Sequence, residues 1–80
     1  MTRHLAIVER QVAASETDRY LSTIADRQSQ AKSLAANFWV FAHASDSRRF
    51  VEFVEGADAS DVSTLSGVEP AALWRAIEVK

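Results

Sequence analysis

His43 is one of two histidines in the chain, and it sits in the run N-F-W-V-F-A-H-A from Asn37 to Ala44. On an extended backbone Trp39, Phe41 and His43 project from one face, while Phe38, Val40, Ala42 and Ala44 project from the other. An imidazole set in an aromatic surface could accept a phenolic proton, because an unperturbed imidazole titrates near neutral pH. The plainer reading is a strand-end histidine bonded to water or backbone. Glu52 interrupts R-F-V-E-F-V-E between Phe50 and Val54. A two- or four-residue turn ahead of it would place its carboxylate on the face of Phe41 and His43, whereas a three-residue turn would place it on the opposite face. His43 and Glu52 are therefore the candidate catalytic groups, and turn length decides whether they meet.

Trp39, Phe41 and Trp74, with Phe50 and Phe53, supply most of the aromatic area. They could stack on a planar ligand, or serve as core or subunit interface. Arg48 and Arg49 stand at the mouth of the turn, where they could hold an anionic substrate or simply solvate it. His4, near the start of the sequence, is expected to be exposed. Several chemistries are excluded. With only Gly56 and Gly67 there is no glycine-rich phosphate loop. There is no cysteine, no nucleophile elbow or Ser-His-Asp pattern, and no H-E-x-x-H spacing. No cofactor and no metal are expected.

Positioning these residues falls to a short chain. Eighty residues make one domain, residues 1 to 80, and a domain of that size buries only about 60% of the surface its unfolded form exposes. Without disulfides or a metal, a partner chain is the remaining supplement. Apolar residues at 48% and charged residues at 25% describe an ordinary globular domain. Nine basic against eleven acidic residues, a net charge of -2 and no basic run argue against nucleic acid. The stretch Met1 to Glu9 reads as neither signal peptide nor membrane span, so a cytoplasmic location is expected by default.

The β-branched run Leu5 to Val12 predicts a first strand. Ser15, followed by Glu16, Thr17 and Asp18, predicts the cap and first turn of a helix. That helix presents Tyr20, Leu21, Ile24, Gln28, Ala31, Leu34, Ala35 and Phe38 as an apolar stripe, with Asp18, Arg19, Asp26, Arg27, Gln30 and Lys32 mostly elsewhere, and it fades out near Asn37 by change of pattern. Ser45 to Arg48 is a polar turn between two arms, the first ending at Ala44 and the second running from Arg49 to Glu55, and together they predict a hairpin. Asp58 or Ser60 can cap a short helix through Leu65 that stops at Ser66-Gly67. Leu73 to Val79 alternates as a fourth strand, with a helix from Pro70 as the competing reading. The order is β-α-β-β-α-β, an α+β ferredoxin-like arrangement with a four-stranded antiparallel sheet. Two helices cover such a sheet on one face only, so the second apolar face calls for a cover from outside the chain.

The aromatic strand N-F-W-V-F-A-H-A, the tight polar turn D-S-R and the strand R-F-V-E-F-V-E, followed by G-A-D and a short polar helix, resemble the dimeric α+β barrel superfamily and, within it, the antibiotic biosynthesis monooxygenase-like group. About twenty residues carry the resemblance. It differs from the group's habit in having no His in the helix after the hairpin, where A-S-D-V-S-T-L stands. The resemblance implies a homodimer whose two sheets form a barrel, with a pocket in each subunit between sheet and helices. Active members of the group oxidise flat aromatic polyketides there without flavin or metal. If the chain is an enzyme, His43 is the expected proton acceptor, with Glu52 beside it only if the turn length allows, and Asn37, Trp39, Phe41, Arg49 and Trp74 are the expected contacts of a small aromatic ligand. Haem-degrading relatives use an Asn, Trp and His spread over separate elements. Here Asn37, Trp39 and His43 crowd into one strand, so haem degradation is not implied. The alternative is a non-catalytic ligand-binding or assembly module of the same fold.

Overall fold

The computed structural model describes residues 2–79, so the two end residues of the predicted domain lie outside it. Strand β1 (His4–Gln11) pairs antiparallel along its whole length with β3 (Arg49–Gly56), from His4 opposite Gly56 to Gln11 opposite Arg49. Strand β2 (Asn37–Ala42) flanks β3, and the two-residue β4 (Trp74–Arg75) flanks β1, giving the sheet order β2-β3-β1-β4. Helices α1 (Thr17–Ser33) and α2 (Ala59–Ser66) pack on one face of the sheet. No described helix is long and apolar enough to cross a membrane.

Register sorts the side chains into rows across the sheet. Beneath the helices, Phe38, Val54 and Ala6 form the central row, and with Ile24, Ala31, Val62 and Leu65 they make the buried core. Gly56 belongs to this face because α2 and the end of α1 press on it. A Cβ there would sit 3.3 Å from both Ala36 and Val62, closer than ordinary packing allows.

The helix ends follow local chemistry, with two departures from expectation. Asp58 caps α2, its Oδ1 accepting from the Asp61 N–H at 3.1 Å, and Gly67 ends it at φ 75°. Ser15, by contrast, caps nothing. It lies in a 3-10 turn (Ala14–Glu16), and α1 starts at Thr17, whose hydroxyl donates to the Ala13 carbonyl at 3.3 Å. At the far end α1 stops at Ser33, not near Asn37. The Ala36 N–H bonds to the Ala31 carbonyl and the Ala35 N–H to that of Lys32, the paired bonds of a Schellman motif. Ala35 occupies its left-handed position at φ 55°, where glycine is usual.

The fourth strand is shorter than its alternation suggested. Pro70 opens a 3-10 turn (Pro70–Ala72), and only Trp74 and Arg75 pair as strand, opposite Leu5 and His4. The Ala76 N–H still reaches the Arg3 carbonyl, but the register then carries Ile77 and Val79 past the end of β1, and both are exposed. His4, expected in solvent, is half-buried in β1, and its Nδ1 is buried with no partner among the described residues.

Candidate functional site

The face of the sheet turned away from the helices is apolar and uncovered. Its rows read Asn37, Glu55, Leu5 and Trp74; then Trp39, Phe53 and Ile7; then Phe41, Val51 and Glu9. Trp39 is 46% exposed, Phe41 55% and Trp74 65%, although Phe41 and Phe53 meet edge to face at 5.7 Å. Open aromatics on β2 and β4, joined across the sheet by Phe53, Ile7 and Leu5, form a contiguous patch and not scattered surface residues. Charged pairs bound it at both ends. At one, Arg3 is held bidentately by Glu55, which also accepts from the Asn37 amide at 2.9 Å, and these bonds hold the Glu55 carboxyl below the usual carboxylate range. At the other, Arg49 lies 3.9 Å from Glu9.

His43 continues this face beyond the end of β2, where its N–H bonds to the Arg49 carbonyl. With Arg49, Phe50 and Val51 it borders an open hollow of about 310 Å³. The imidazole Nδ1 accepts from the Ser45 N–H at 3.1 Å, so the neutral ring carries its hydrogen on Nε2. In that tautomer the lone pair a base would use is already engaged. Asp46 shapes the same turn, accepting from the Arg48 N–H at 3.0 Å, which lowers its carboxyl pKa.

Glu52 lies on the opposite face. Five residues separate His43 from its partner Arg49, and this odd count sets Glu52 opposite Val40 and Val8, beneath α1. The anticipated pairing of His43 with Glu52 is therefore not formed. The Glu52 side chain is fully buried, and its oxygens accept from Tyr20 Oη at 2.7 Å, Arg27 Nη1 at 3.2 Å and Arg10 Nε at 3.3 Å. A carboxylate so deep requires such partners. Arg27 is held in turn by the Leu65 carbonyl and by the Phe38 ring, 4.8 Å below its guanidinium. Above the network opens a cleft of about 380 Å³ lined by Arg10, Val12, Glu16, Arg19, Tyr20, Thr23, Arg27 and Glu52.

Arg27 and Tyr20 are the site residues that periodicity concealed. Tyr20, Ile24, Arg27 and Ala31 make the stripe of α1 that faces the sheet, whereas Arg27 was expected on the wet side. The available signal was a pair of misfits: a glutamate in phase with Phe50 and Val54 on a strand, and an arginine in phase with Ile24 and Ala31 on the helix above.

Burial, and then the bond to Glu52, raise the Tyr20 pKa well above its ordinary 10.0. A raised value means that the folded chain favours the neutral phenol; the associated stability is complete below pH 10.0 and is lost as pH climbs through the folded value. Tyr20 is the only tyrosine, so near-ultraviolet phenolate absorbance reports on it alone. No ionisation step is expected around pH 10.0 while the circular dichroism stays native. A step there in folded protein would mean that the phenol is free of Glu52.

These observations define a small α+β domain with a four-stranded antiparallel sheet, helices on one face and two chemically distinct surfaces. No protein-family model matches the sequence, and neither a curated protein nor a solved structure matches it significantly.

Proposed function

We propose that the chain is an assembly module of the ferredoxin-like, dimeric α+β barrel kind, in which two copies pair through their uncovered sheet faces. The observation that carries this reading is the row of Trp39, Phe53 and Ile7 with Phe41, Val51, Leu5 and Trp74 beside it, all on the face the helices leave open. The strand order β2-β3-β1-β4 supports the ferredoxin-like part. A copy of the same chain suits the patch because the rim charges, Arg3 with Glu55 and Arg49 with Glu9, are already partnered within one chain. Closing the face therefore isolates no charge.

Cofactor-free oxidation of a small aromatic molecule is the reading the geometry favours less. It needs an enclosed cavity around a free imidazole, whereas the hollow beside His43 is open and its Nδ1 is engaged by Ser45. Trp39 and Phe41, the expected stacking platform, lie in the patch that pairing would close.

The test is molecular mass by light scattering over a dilution series. Twice the chain mass of 8.8 kDa, persisting at low micromolar concentration, is the expected result. A monomer throughout would remove the reading.

A further inference from the structure

The cleft above Glu52 lies on the other side of the sheet from the proposed interface, and its chemistry points to a ligand. Three guanidiniums, of Arg10, Arg19 and Arg27, line an open cleft with two carboxylates, of Glu16 and Glu52, an excess of one positive charge. Their roles differ. Arg27 is consumed by Glu52, the Leu65 carbonyl and the Phe38 ring. Arg19 lies 3.5 Å from Glu16. Arg10 gives only its Nε to Glu52, and its two terminal nitrogens bond to none of the described residues. The buried carboxylate thus holds the Arg10 guanidinium by its Nε and leaves the two terminal nitrogens without a partner among the described residues at the border of the cleft, a fork that suits a planar carboxylate with two parallel hydrogen bonds. Val12 and the Tyr20 ring, itself packed on Phe50 at 4.9 Å between centroids, supply an apolar wall for a short body. Stability alone does not call for charge here, since an apolar cluster of equal volume serves a core as well as a buried ion network does.

We propose that this cleft binds a small organic carboxylate, with Arg10 as the anion-binding residue and Glu52, Tyr20 and Arg27 as the groups that position it. The test is titration of the wild-type protein with benzoate, followed by amide chemical shifts in nuclear magnetic resonance. Saturable shifts at Tyr20, Thr23 and Glu52 are expected, with benzamide producing none. Arg10→Gln should weaken binding at least tenfold while Arg75→Gln, on β4 and outside the cleft, leaves it unchanged. Should Arg10→Gln fail to fold, Arg10→Lys retains the charge without the fork, and a several-fold loss is expected. Absence of saturable shifts, equal binding of benzamide, or unchanged affinity in the Arg10 variant each overturns the proposal. Failure here leaves the sheet-face reading standing, and a monomeric protein leaves the cleft intact.

Discussion

Replacing Glu52 with alanine should lower stability by about 3–5 kcal/mol, the usual cost of removing one partner from a buried ion pair. Against a total stability of roughly 5–15 kcal/mol, that loss ranges from about a fifth of the total to all of it. The reason lies in what is left behind. Arg27 remains inside the protein with its Nη1 unpaired, Tyr20 loses the acceptor of a 2.7 Å hydrogen bond, and a void opens between Val40 and Val8. Glu52→Gln keeps the shape and one acceptor oxygen, so its loss should be smaller. Glu52→Gln combined with Arg27→Gln should cost less than the sum of the two single changes, because the second removes the charge that the first orphans. Urea denaturation followed by circular dichroism measures all four variants, Arg27→Gln alone included. A loss under about 1 kcal/mol for the alanine variant would mean that water screens the triad as it does a surface pair.

If the proposed pairing holds, Phe41→Glu should leave the chain monomeric, weakening association at least a hundredfold, or about 2.8 kcal/mol at 1.4 per factor of ten. Two-fold pairing brings each substitution in twice, so one change places two carboxylates in an apolar contact. The fold should survive, since Phe41 is 55% exposed in the single chain. Leu21→Glu is the matched control. Leu21 is 44% exposed on the helical side, away from the sheet face, so that variant should associate as the wild type does. Sedimentation or light scattering reads the mass and circular dichroism the fold. Equal effects from both variants would indicate association that does not use the sheet face.

The sequence showed the faces of the strands more clearly than their lengths. Alternation placed Trp39 and Phe41 on the face opposite Phe38 and Val40, and Gly67 marked the end of α2 while its start is narrowed only to Asp58 or Ser60, of which Asp58 is the cap. The end of α1 gave no sign. Ala35 fills a left-handed position that sequence reading assigns to glycine, and the bonds that stabilise it belong to the backbone. The fourth strand misled because alternation records what a segment could pair with, whereas the register of Trp74 on Leu5 leaves the residues after Ala76 no strand to meet. For the site, everything turned on whether the turn held an odd or an even number of residues. One residue more or fewer would have carried Glu52 to the aromatic face and His43.

The pairing of β1 with β3 also governs how the chain must assemble. Arg3 and Glu55, joined beside that seam, are 52 positions apart in sequence, whereas the β2 and β3 arms meet across a five-residue loop. The entropy of closing a loop grows with its length, so the hairpin is the inexpensive step and the docking of β1 the costly one. Until β1 docks, Val54 and Phe53 lack their cross-strand neighbours Ala6 and Ile7, and both faces of the hairpin stay wet. The two central strands therefore gain from each other only after this long closure, and the aromatic patch is complete only once β4, farther still in sequence from its partner, brings Trp74 beside Leu5.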